Sequence, residues 1–321
     1  MNMDTFPTIK DVSFTPKLNY IPHCVLVLGN GFDLSLGMKT KYSDFASNDK
    51  FWPFKDSMFS HDDHSLPHFL NEHKNVDSWF DLEELIARYA SDETICNSLE
   101  DYQVKQNIDY FQVLGSKLCE YLQHEEDEYV KRMSERHGAR PATPVHSLLN
   151  TIMQKESFSV YTFNYTNVWR IINQFILSPK GTFDYVHGSI RNNDIVLGAG
   201  DGHELNDRFF QFHKSVNKNY KSSNLVEDLS NADEVYFFGH SLGKNDHDYF
   251  KEFFMGAMQG KRRMMAPSKL KIRIFTKDYN SEVAICKQLM ALTDKHLIGL
   301  RAHCDFKFIK TDEATLDELL S

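Results

Sequence analysis

Short apolar runs that end in polar, glycine-containing loops recur along this chain and restrict its fold more than any other feature. Their consecutive apolar positions are typical of strands buried on both faces, as in a parallel sheet. Helical patterns separate several of the runs, which favours an α/β fold. The seven predicted strands are His23–Leu28, Phe158–Phe163, Phe183–Val186, Asp194–Leu197, Glu234–Phe238, Lys271–Thr276 and Asp305–Ile309.

Between the first two predicted strands, from about residue 46 to 157, the chain shows helical patterns and no convincing strand. The segment Asp101–Arg136 is rich in helix-forming Glu, Lys, Gln and Leu, and Pro144 suits the first turn of the next helix. We therefore predict a Rossmann-like, mostly parallel sheet with a helical insertion, or cap, between its first and second strands. Residues 1–20 are interpreted as a leader, and residues 21–321 as one α/β domain.

The composition disfavours several classes of partner. A net charge of -9 argues against binding to nucleic acid or anionic lipid, which need clustered positive charge. None of the five cysteines lies in a CxxC pair, which argues against structural zinc and a disulfide framework. His203, Glu204 and His213 fit no standard ligand spacing, so we predict no metal. Without a signal pattern or an apolar stretch of about 20 residues, we expect a cytoplasmic protein that does not enter a membrane.

Polar residues gather where the predicted strands end. The carboxyl ends of parallel strands share one edge of the sheet, and open α/β sheets bind ligands there. Six clusters that converge on this edge predict a nucleotide-type ligand site more strongly than any single motif does. The clusters are Gly29–Asp33, Asn164–Asn167, His187–Ser189, Gly198–Asp201, Gly239–Asp246 and Lys277–Asn280.

The first cluster has the composition of a phosphate-binding turn. A glycine-rich turn between a strand and a helix lets backbone amides approach phosphate. Gly29 and Gly31 fit this pattern, although Leu34 stands where a third glycine would complete GxGxxG. The alternative is a tight turn that needs positive φ. Asp33 could bind a ribose hydroxyl or orient a water, or it could cap the following helix.

His187 and Asn164 are the main catalytic candidates. His187 ends a buried strand and precedes a glycine, and its pKa suits a general base; a core histidine bonded to a backbone carbonyl is an equal alternative. Asn164 could hold a sugar hydroxyl or a water, or it could simply tie a loop. His240 and Asp246 could line the same pocket, and Asp246 could instead cap a helix that begins near His247.

A serine hydrolase is a competing hypothesis. The segment Gly239–Gly243 (GHSLG) matches the GxSxG nucleophile elbow and follows a strand, as that elbow requires. Ser241 would be the nucleophile, with Asp278 and either His296 or His303 as partners. This hypothesis leaves the clusters after the second and third strands unexplained.

Five segments taken together resemble the AbiH family of bacterial abortive-infection proteins. This resemblance implies a role in defence against phage, which describes a phenotype rather than a reaction. The segments are LVLGNGFDLSLGMKTKYSDF from Leu26, WFDLEEL from Trp79, TFNYT from Thr162, VHGS from Val186 and FGHSLGKNDHDYF from Phe238.

The same series is similar, more distantly, to SIR2-like domains. That resemblance implies that Gly29 and Gly31 hold the pyrophosphate of NAD, that Asn164 positions the nicotinamide ribose or a water, and that His187 accepts a proton. It places the loop Gly239–Asp246 beside the ribose. The full set of residues that the resemblance assigns to the nucleotide is Gly29, Asn30, Gly31, Phe32, Thr162, Tyr165, Gly188, Gly239, His240, Ser241 and Asp246.

The departures from the SIR2-like pattern narrow the implied reaction. Asn30 replaces a small alanine, Phe32 and Asp33 replace small and hydroxyl residues, and the four-cysteine zinc module of protein deacylases is absent. NAD+ hydrolysis to nicotinamide and ADP-ribose therefore fits better than peptide deacylation. A carboxylate would stabilise the oxocarbenium-like transition state, and Asp33 or Glu83 could supply it.

Two other functions stay open at the level of sequence. The pocket could bind a nucleotide as a sensor without catalysis, or the protein could be another hydrolase, of the serine type or acting on a phosphodiester. A nucleotide is the expected small-molecule partner if the protein is an NAD+ hydrolase or a nucleotide sensor. A homo-oligomer or a defence partner protein is a further possibility.

Overall fold

The computed structural model describes residues 20–55, 63–74, 79–135, 143–176, 181–261 and 268–311. The leader predicted for residues 1–20 lies outside these residues except for Tyr20. In the described part of the chain, six strands form one sheet in which every neighbouring pair is parallel. The strands are β1 (His23–Leu28), β2 (Ser157–Thr162), β3 (Thr182–Tyr185), β4 (Glu234–Phe238), β5 (Lys271–Thr276) and β6 (Asp305–Lys310).

The strand order is β3-β2-β1-β4-β5-β6. The chain adds strands on one side of β1 and then on the other, which is the doubly wound order of Rossmann-like folds. The predicted fold class is therefore confirmed. Because all strands are parallel, the loops that follow them lie along one carboxyl edge.

Twelve α-helices accompany these strands in the described residues. None of the described helices is long and apolar enough to cross a membrane. Helices α1 to α7 lie between β1 and β2, and α6 follows the predicted bounds to within one residue. The helices are α1 (Gly31–Ser35), α2 (Tyr42–Ala46), α3 (Leu66–Glu72), α4 (Trp79–Ser91), α5 (Glu93–Ser98), α6 (Asp101–Glu135), α7 (Pro144–Met153), α8 (Val168–Ile172), α9 (Leu225–Asn231), α10 (His247–Met258), α11 (Tyr279–Leu292) and α12 (Leu297–His303).

Strand β1 is buried on both faces. Leu26 and Leu28 belong to the apolar cluster that contains α7 and α8. Val25 and Val27 belong to the cluster formed with α9, α10, α11 and α12. Since helices cover both faces, the buried positions Cys24–Leu28 all carry apolar side chains.

Helices α2 to α6, called the cap below, carry an aromatic core of their own. Trp52 makes edge contacts with Tyr42 and Phe45, with ring centroids 5.9 and 5.3 Å apart. Tyr165 and Leu197, from the loops that follow β2 and β3, belong to the same core. The cap therefore sits on the carboxyl edge of the sheet.

The predicted strand Asp194–Leu197 is wrong, because this segment is an irregular loop. The amide of Val196 donates to the carbonyl of His187 at 2.8 Å, and the Asp194 carboxylate accepts from the amide of Ser189 at 2.9 Å. The segment thus folds back over the loop after β3. Its apolar residues are buried because the cap covers them, so an apolar run here does not mark a strand.

Candidate functional site

The turns after β1 and β4 are locked together by their glycines. The amides of Gly29 and Gly31 donate to the carbonyls of Phe238 and Gly239 at 3.1 and 2.9 Å. A Cβ atom on Gly31 would lie 2.5 Å from the Cα of Gly239, which itself has a φ of +67°. These glycines are thus required by close packing of two turns. Their amides are already engaged by protein carbonyls, so the predicted contact of these two amides with a pyrophosphate does not fit this conformation.

The two residues between and after these glycines have structural contacts. The Asn30 side chain accepts from the hydroxyl of Thr40 at 2.6 Å and donates to its carbonyl at 3.1 Å. Phe32 is fully buried in the apolar cluster that Leu26 and Leu28 form with α7 and α8. Both side chains are therefore engaged by the protein itself.

Asp33 is a buried acid rather than a helix cap. It lies in the first turn of α1, and its Oδ2 accepts from the hydroxyl of Thr166 at 2.9 Å. Burial raises the pKa of Asp33 to about 7, although Thr166 and the neighbouring Asn164 amide favour the ionised form. Its other oxygen, Oδ1, is buried and has no hydrogen-bond partner among the described residues.

Asn164 follows β2, and its side chain lies close enough to the Asp33 carboxyl to affect its pKa but makes no hydrogen bond of ordinary geometry to a described residue. Its backbone amide donates to Oγ1 of the buried Thr162 at 3.1 Å. The Oδ1 and Nδ2 atoms of Asn164 are both buried and unpaired within the described part of the chain. Burying an amide without hydrogen bonds is costly, so this side chain is suited to a ligand or a water.

Five ionisable side chains form a charge cluster: Glu83, His187, Lys214, His240 and Asp246. His187 Nε2 lies 2.9 Å from Asp246 Oδ1 and 3.2 Å from Lys214 Nζ. Lys214 Nζ donates to Glu83 Oε2 at 2.8 Å, and His240 Nε2 lies 3.5 Å from Asp246 Oδ2. Asp246 occupies the N-cap position of α10, but its side chain makes no cap hydrogen bond. It faces the cluster instead.

Burial and the charged neighbours set the protonation states of this cluster. Burial disfavours the carboxylate of Asp246, but Lys214 and His187 outweigh burial and hold its pKa below the usual range. Burial and Lys214 lower the pKa of His187, and burial lowers that of His240 to about 4. Glu83 and Asp246 overcome burial and raise the pKa of Lys214, whereas burial raises that of Glu83 to about 7. At neutral pH the cluster holds an ammonium, the carboxylate of Asp246 and two neutral imidazoles.

The contacts of His187 define which ring nitrogen can act as a base. Nε2 lies nearest to an acceptor, Asp246 Oδ1, so it carries the proton and donates to this carboxylate, as in a histidine oriented by an aspartate. The contact of Nε2 with the Lys214 ammonium is then electrostatic and is not a hydrogen bond. The other nitrogen, Nδ1, is buried and has no partner among the described residues. Phe163 makes T-shaped ring contacts with both His187 and His240, with centroids 5.1 and 4.3 Å apart. The imidazole is therefore neutral, oriented and provided with a free lone pair.

Three of the other predicted residues hold the loops of the site in place. Tyr165 donates its hydroxyl to Glu83 Oε1 and to the carbonyl of Val196, at 3.3 and 3.2 Å. Gly188 has a φ of +72°, and a Cβ atom there would lie 2.0 Å from the carbonyl oxygen of Asp194. His240 accepts from the backbone amide of Leu242 at 3.0 Å.

The parts of a serine hydrolase are not assembled. Ser241 is exposed and makes no hydrogen bond through its side chain to a described residue. Asp278 instead accepts from the amide and hydroxyl of Ser281 as the N-cap of α11. The His296 ring contacts the carbonyl of Asp294. The geometry gives the serine-hydrolase hypothesis no support.

The sequence alone did not point to Lys214. Its backbone is fixed by a bridge between Ala199 and His213, next to which the amide of Lys214 donates to the carbonyl of Ala199 at 2.8 Å. No strand precedes it and no motif contains it, so no local signal could have found it. Among the described residues, no group of three His, Cys, Asp or Glu side chains is arranged to hold a metal ion.

The doubly wound sheet, the cap and the buried polar cluster at the carboxyl edge define a capped Rossmann-like α/β protein with a candidate ligand site in its strand-end loops. Its sequence matches the family model "Bacteriophage abortive infection AbiH" over residues 25–266, well over half of the chain. The chain belongs to the AbiH family, as its motifs predicted, and this membership gives it a role in phage abortive infection.

Two further comparisons complete this result. No curated protein matches the sequence. A solved structure described as "Structural Basis for the Mechanism and Regulation of Sir2 Enzymes" is similar at 12% identity with a TM-score of 0.29, covering 88% of this chain and 94% of that one. A likeness this weak says nothing about the site.

Proposed function

We propose that this AbiH protein hydrolyses NAD+ to nicotinamide and ADP-ribose. The observation that carries the proposal is a set of unpaired, buried polar atoms on Asp33, Asn164 and His187. All three residues follow neighbouring strands of the sheet. Unpaired buried polar groups in a native structure call for an explanation, and a polar substrate with a reacting water supplies one.

The proposed reaction needs a base and no acid. The oxygen of a water attacks C1′ of the nicotinamide ribose while His187 Nδ1 accepts the proton of that water. The glycosidic C–N bond breaks, and its electron pair returns to the nicotinamide nitrogen. Since this nitrogen is cationic in NAD+, nicotinamide leaves as a neutral molecule. Asn164 is assigned to hold the ribose or the water.

The charge of the site suits a positive transition state. An oxocarbenium-like ribose is stabilised by nearby carboxylates. Asp246 is ionised, and Asp33, with a pKa of about 7, is partly ionised at neutral pH. Glu83 is less suited to this role because Lys214 already binds its carboxylate. Asp33 is therefore the proposed stabilising carboxylate.

The test is release of nicotinamide and ADP-ribose from NAD+ by the purified protein, followed by chromatography. His187→Ala is expected to lower the rate by about 10²- to 10⁴-fold, the usual contribution of a general base. His146→Ala is the matched control, because His146 is also buried but packs on Phe175, outside the charge cluster. That variant is expected to keep the activity of its folded fraction.

Each other outcome has a defined meaning. Release that is unaffected by His187→Ala would overturn the proposed mechanism. Binding of NAD+ without release, measured by calorimetry, would instead support a nucleotide sensor. Loss of activity in Ser241→Ala, with activity retained in Asn164→Ala, would support the serine-hydrolase hypothesis instead.

A further inference from the structure

Lys214 lies at the centre of the charge cluster and is only 4% exposed. Its Nζ lies 2.8 Å from Glu83 Oε2, 3.2 Å from His187 Nε2 and 3.7 Å from Asp246 Oδ1. An ammonium is costly to bury unless opposite charges surround it. The two carboxylates meet this requirement, so the position of Lys214 is specified by the cluster itself.

We propose that Lys214 is a positioning residue, which holds the Asp246 carboxylate that accepts from His187 Nε2 and so keeps Nδ1 facing the ligand. This inference rests on the proposed function, in which His187 is the base. Both Lys214 and Asp246 contact the Nε2 side of the ring. Phe163 and Tyr249 make T-shaped contacts with the ring, with centroids 5.1 and 5.9 Å away. The ring therefore has one polar atom left for a substrate.

The contacts of Lys214 also connect the cap to the sheet. Glu83 belongs to α4 in the cap, whereas Asp246 and His187 follow β4 and β3. Lys214 contacts all three residues from a loop of its own. The cap thus contributes to the orientation of His187 through the ammonium group of Lys214, since Glu83 contacts Lys214 rather than the imidazole.

Lys214 also affects which form of the imidazole is stable. The ionisable groups that face His187 are Asp246, Lys214, His240 and Tyr249, and Glu83 lies beyond Lys214. Asp246 favours the imidazolium, whereas burial and Lys214 favour the neutral ring. When Lys214 is removed, only burial opposes the effect of Asp246 on the pKa of His187. We expect the pKa of His187 then to rise, so that a smaller fraction of the ring is neutral and able to act as a base at neutral pH.

The test is an NMR titration of the His187 imidazole in ¹⁵N-histidine-labelled protein without substrate, with the signal assigned by its absence in His187→Gln. Lys214→Met is expected to raise the pKa of His187 by about one unit or more, the usual effect of a charge within 4–6 Å. Lys214→Arg keeps the charge and is expected to restore the original titration. A purely structural role would not produce this charge-dependent pattern.

A second variant separates a change in titration from unfolding. Lys214→Met leaves Glu83 buried without its partner, whereas Glu83→Gln combined with Lys214→Met removes both charges and is better tolerated. We expect the raised pKa of His187 in this double variant as well. A folded variant of either kind with an unchanged titration would overturn the role of Lys214. Because no NAD+ is present, failure of NAD+ cleavage alone would overturn only the proposed function.

Discussion

At the scale of single residues, three carboxylates of the site differ in protonation because their neighbours differ. Asp33 has a hydroxyl and an amide beside it but no cation, and burial dominates its pKa. Asp246 faces Lys214 and two histidines, and these keep it ionised. Glu83 shares Lys214 with Asp246, and its pKa stays high. Glu83 and Asp246 therefore share one lysine, and Asp246 is the one whose carboxylate stays ionised at neutral pH.

Asp33 is expected to destabilise the native state as the pH rises. An unfolded aspartate loses its proton near pH 3.8, whereas native Asp33 keeps it to about pH 7. The native state holds more protons between these values, so its stability from this group falls as the pH increases through that window. Asp33→Asn keeps an acceptor for Thr166 and removes the titration. We expect the variant to gain on the order of 2–4 kcal/mol over the parent between pH 4 and pH 8, measured by urea unfolding.

Asp278→Asn serves as the control of opposite sign. Hydrogen bonds from Ser281 lower the pKa of this exposed cap residue, so its native carboxylate is stabilising above its unfolded pKa. The substitution is expected to bring no gain at high pH. A difference between Asp33→Asn and the parent that stays constant from pH 4 to pH 8 would contradict the assignment of a buried, protonated Asp33.

The sequence predicts candidate site residues where apolar runs end. Asn164 and His187 are predicted as catalytic residues and Asp246 as a residue that lines the nucleotide pocket, because each follows such a run. The structure places His187 and Asp246 in contact, and the catalytic roles stay predictions. The roles of Gly29 and Gly31 were not predictable, since a turn that packs on another turn has the same composition as one that binds phosphate. Lys214 was missed for a different reason. Its position depends on a pairing between distant loops.

At the scale of elements, six of the seven predicted strands are present because apolar runs in a doubly wound sheet are covered on both faces. The seventh, Asp194–Leu197, failed because burial under the cap imposes the same apolar pattern on a loop. An apolar run indicates that a segment is buried. It also indicates a strand only where the segment is buried within the sheet and not beneath the cap. The interlocked turns after β1 and β4 are likewise a product of the assembled sheet.

Substitutions of two glycines can measure how much the packing between the turns after β1 and β4 contributes to the free energy of unfolding. Gly37 and Gly239 both have positive φ, of +76° and +67°. A Cβ atom on Gly37 would meet nothing within 4 Å, whereas one on Gly239 would lie 2.5 Å from Gly31 and Phe32 backbone atoms. Gly37→Ala is expected to cost about 1–2 kcal/mol for its backbone conformation alone. Gly239→Ala is expected to lose at least twice as much free energy of unfolding, or to fail to fold. Equal losses would show that the turns separate easily.

At the scale of the whole molecule, the candidate site is closed. Asp33, Asn164 and His187 are 1%, 6% and 4% exposed. A cavity of about 460 Å³ is lined by Val186 and Gly188 but not by His187. A substrate therefore reaches the buried atoms only if the cap or a loop moves. The Glu83–Lys214 pair is one of the contacts that such a movement would break.

Weakening this pair should loosen the cap before the rest of the protein. In Glu83→Gln the buried bridge to Lys214 is lost, and we expect amides of α4 to exchange roughly tenfold faster or more in hydrogen–deuterium exchange. Helix α11 packs on the sheet outside the cap and provides the internal control. Faster exchange in both helices would indicate general destabilisation, and unchanged exchange in α4 would show that other contacts hold the cap.

The central position of β1 has a consequence for the order in which the chain is made. Its partners begin far along the sequence, since the contacts His23–Ser157 and His23–Asp233 span 134 and 210 residues. At roughly 5–20 residues per second, synthesis takes about 10–40 s to pass from β1 to β4. Strand β2 is made within that interval and can pair with one edge of β1, but the other edge stays unpaired until β4 is made. The cap core is not complete early either, because it includes Leu197, Phe209 and Phe212. An unpaired edge of β1 is therefore present throughout the interval, and during it aggregation competes with folding.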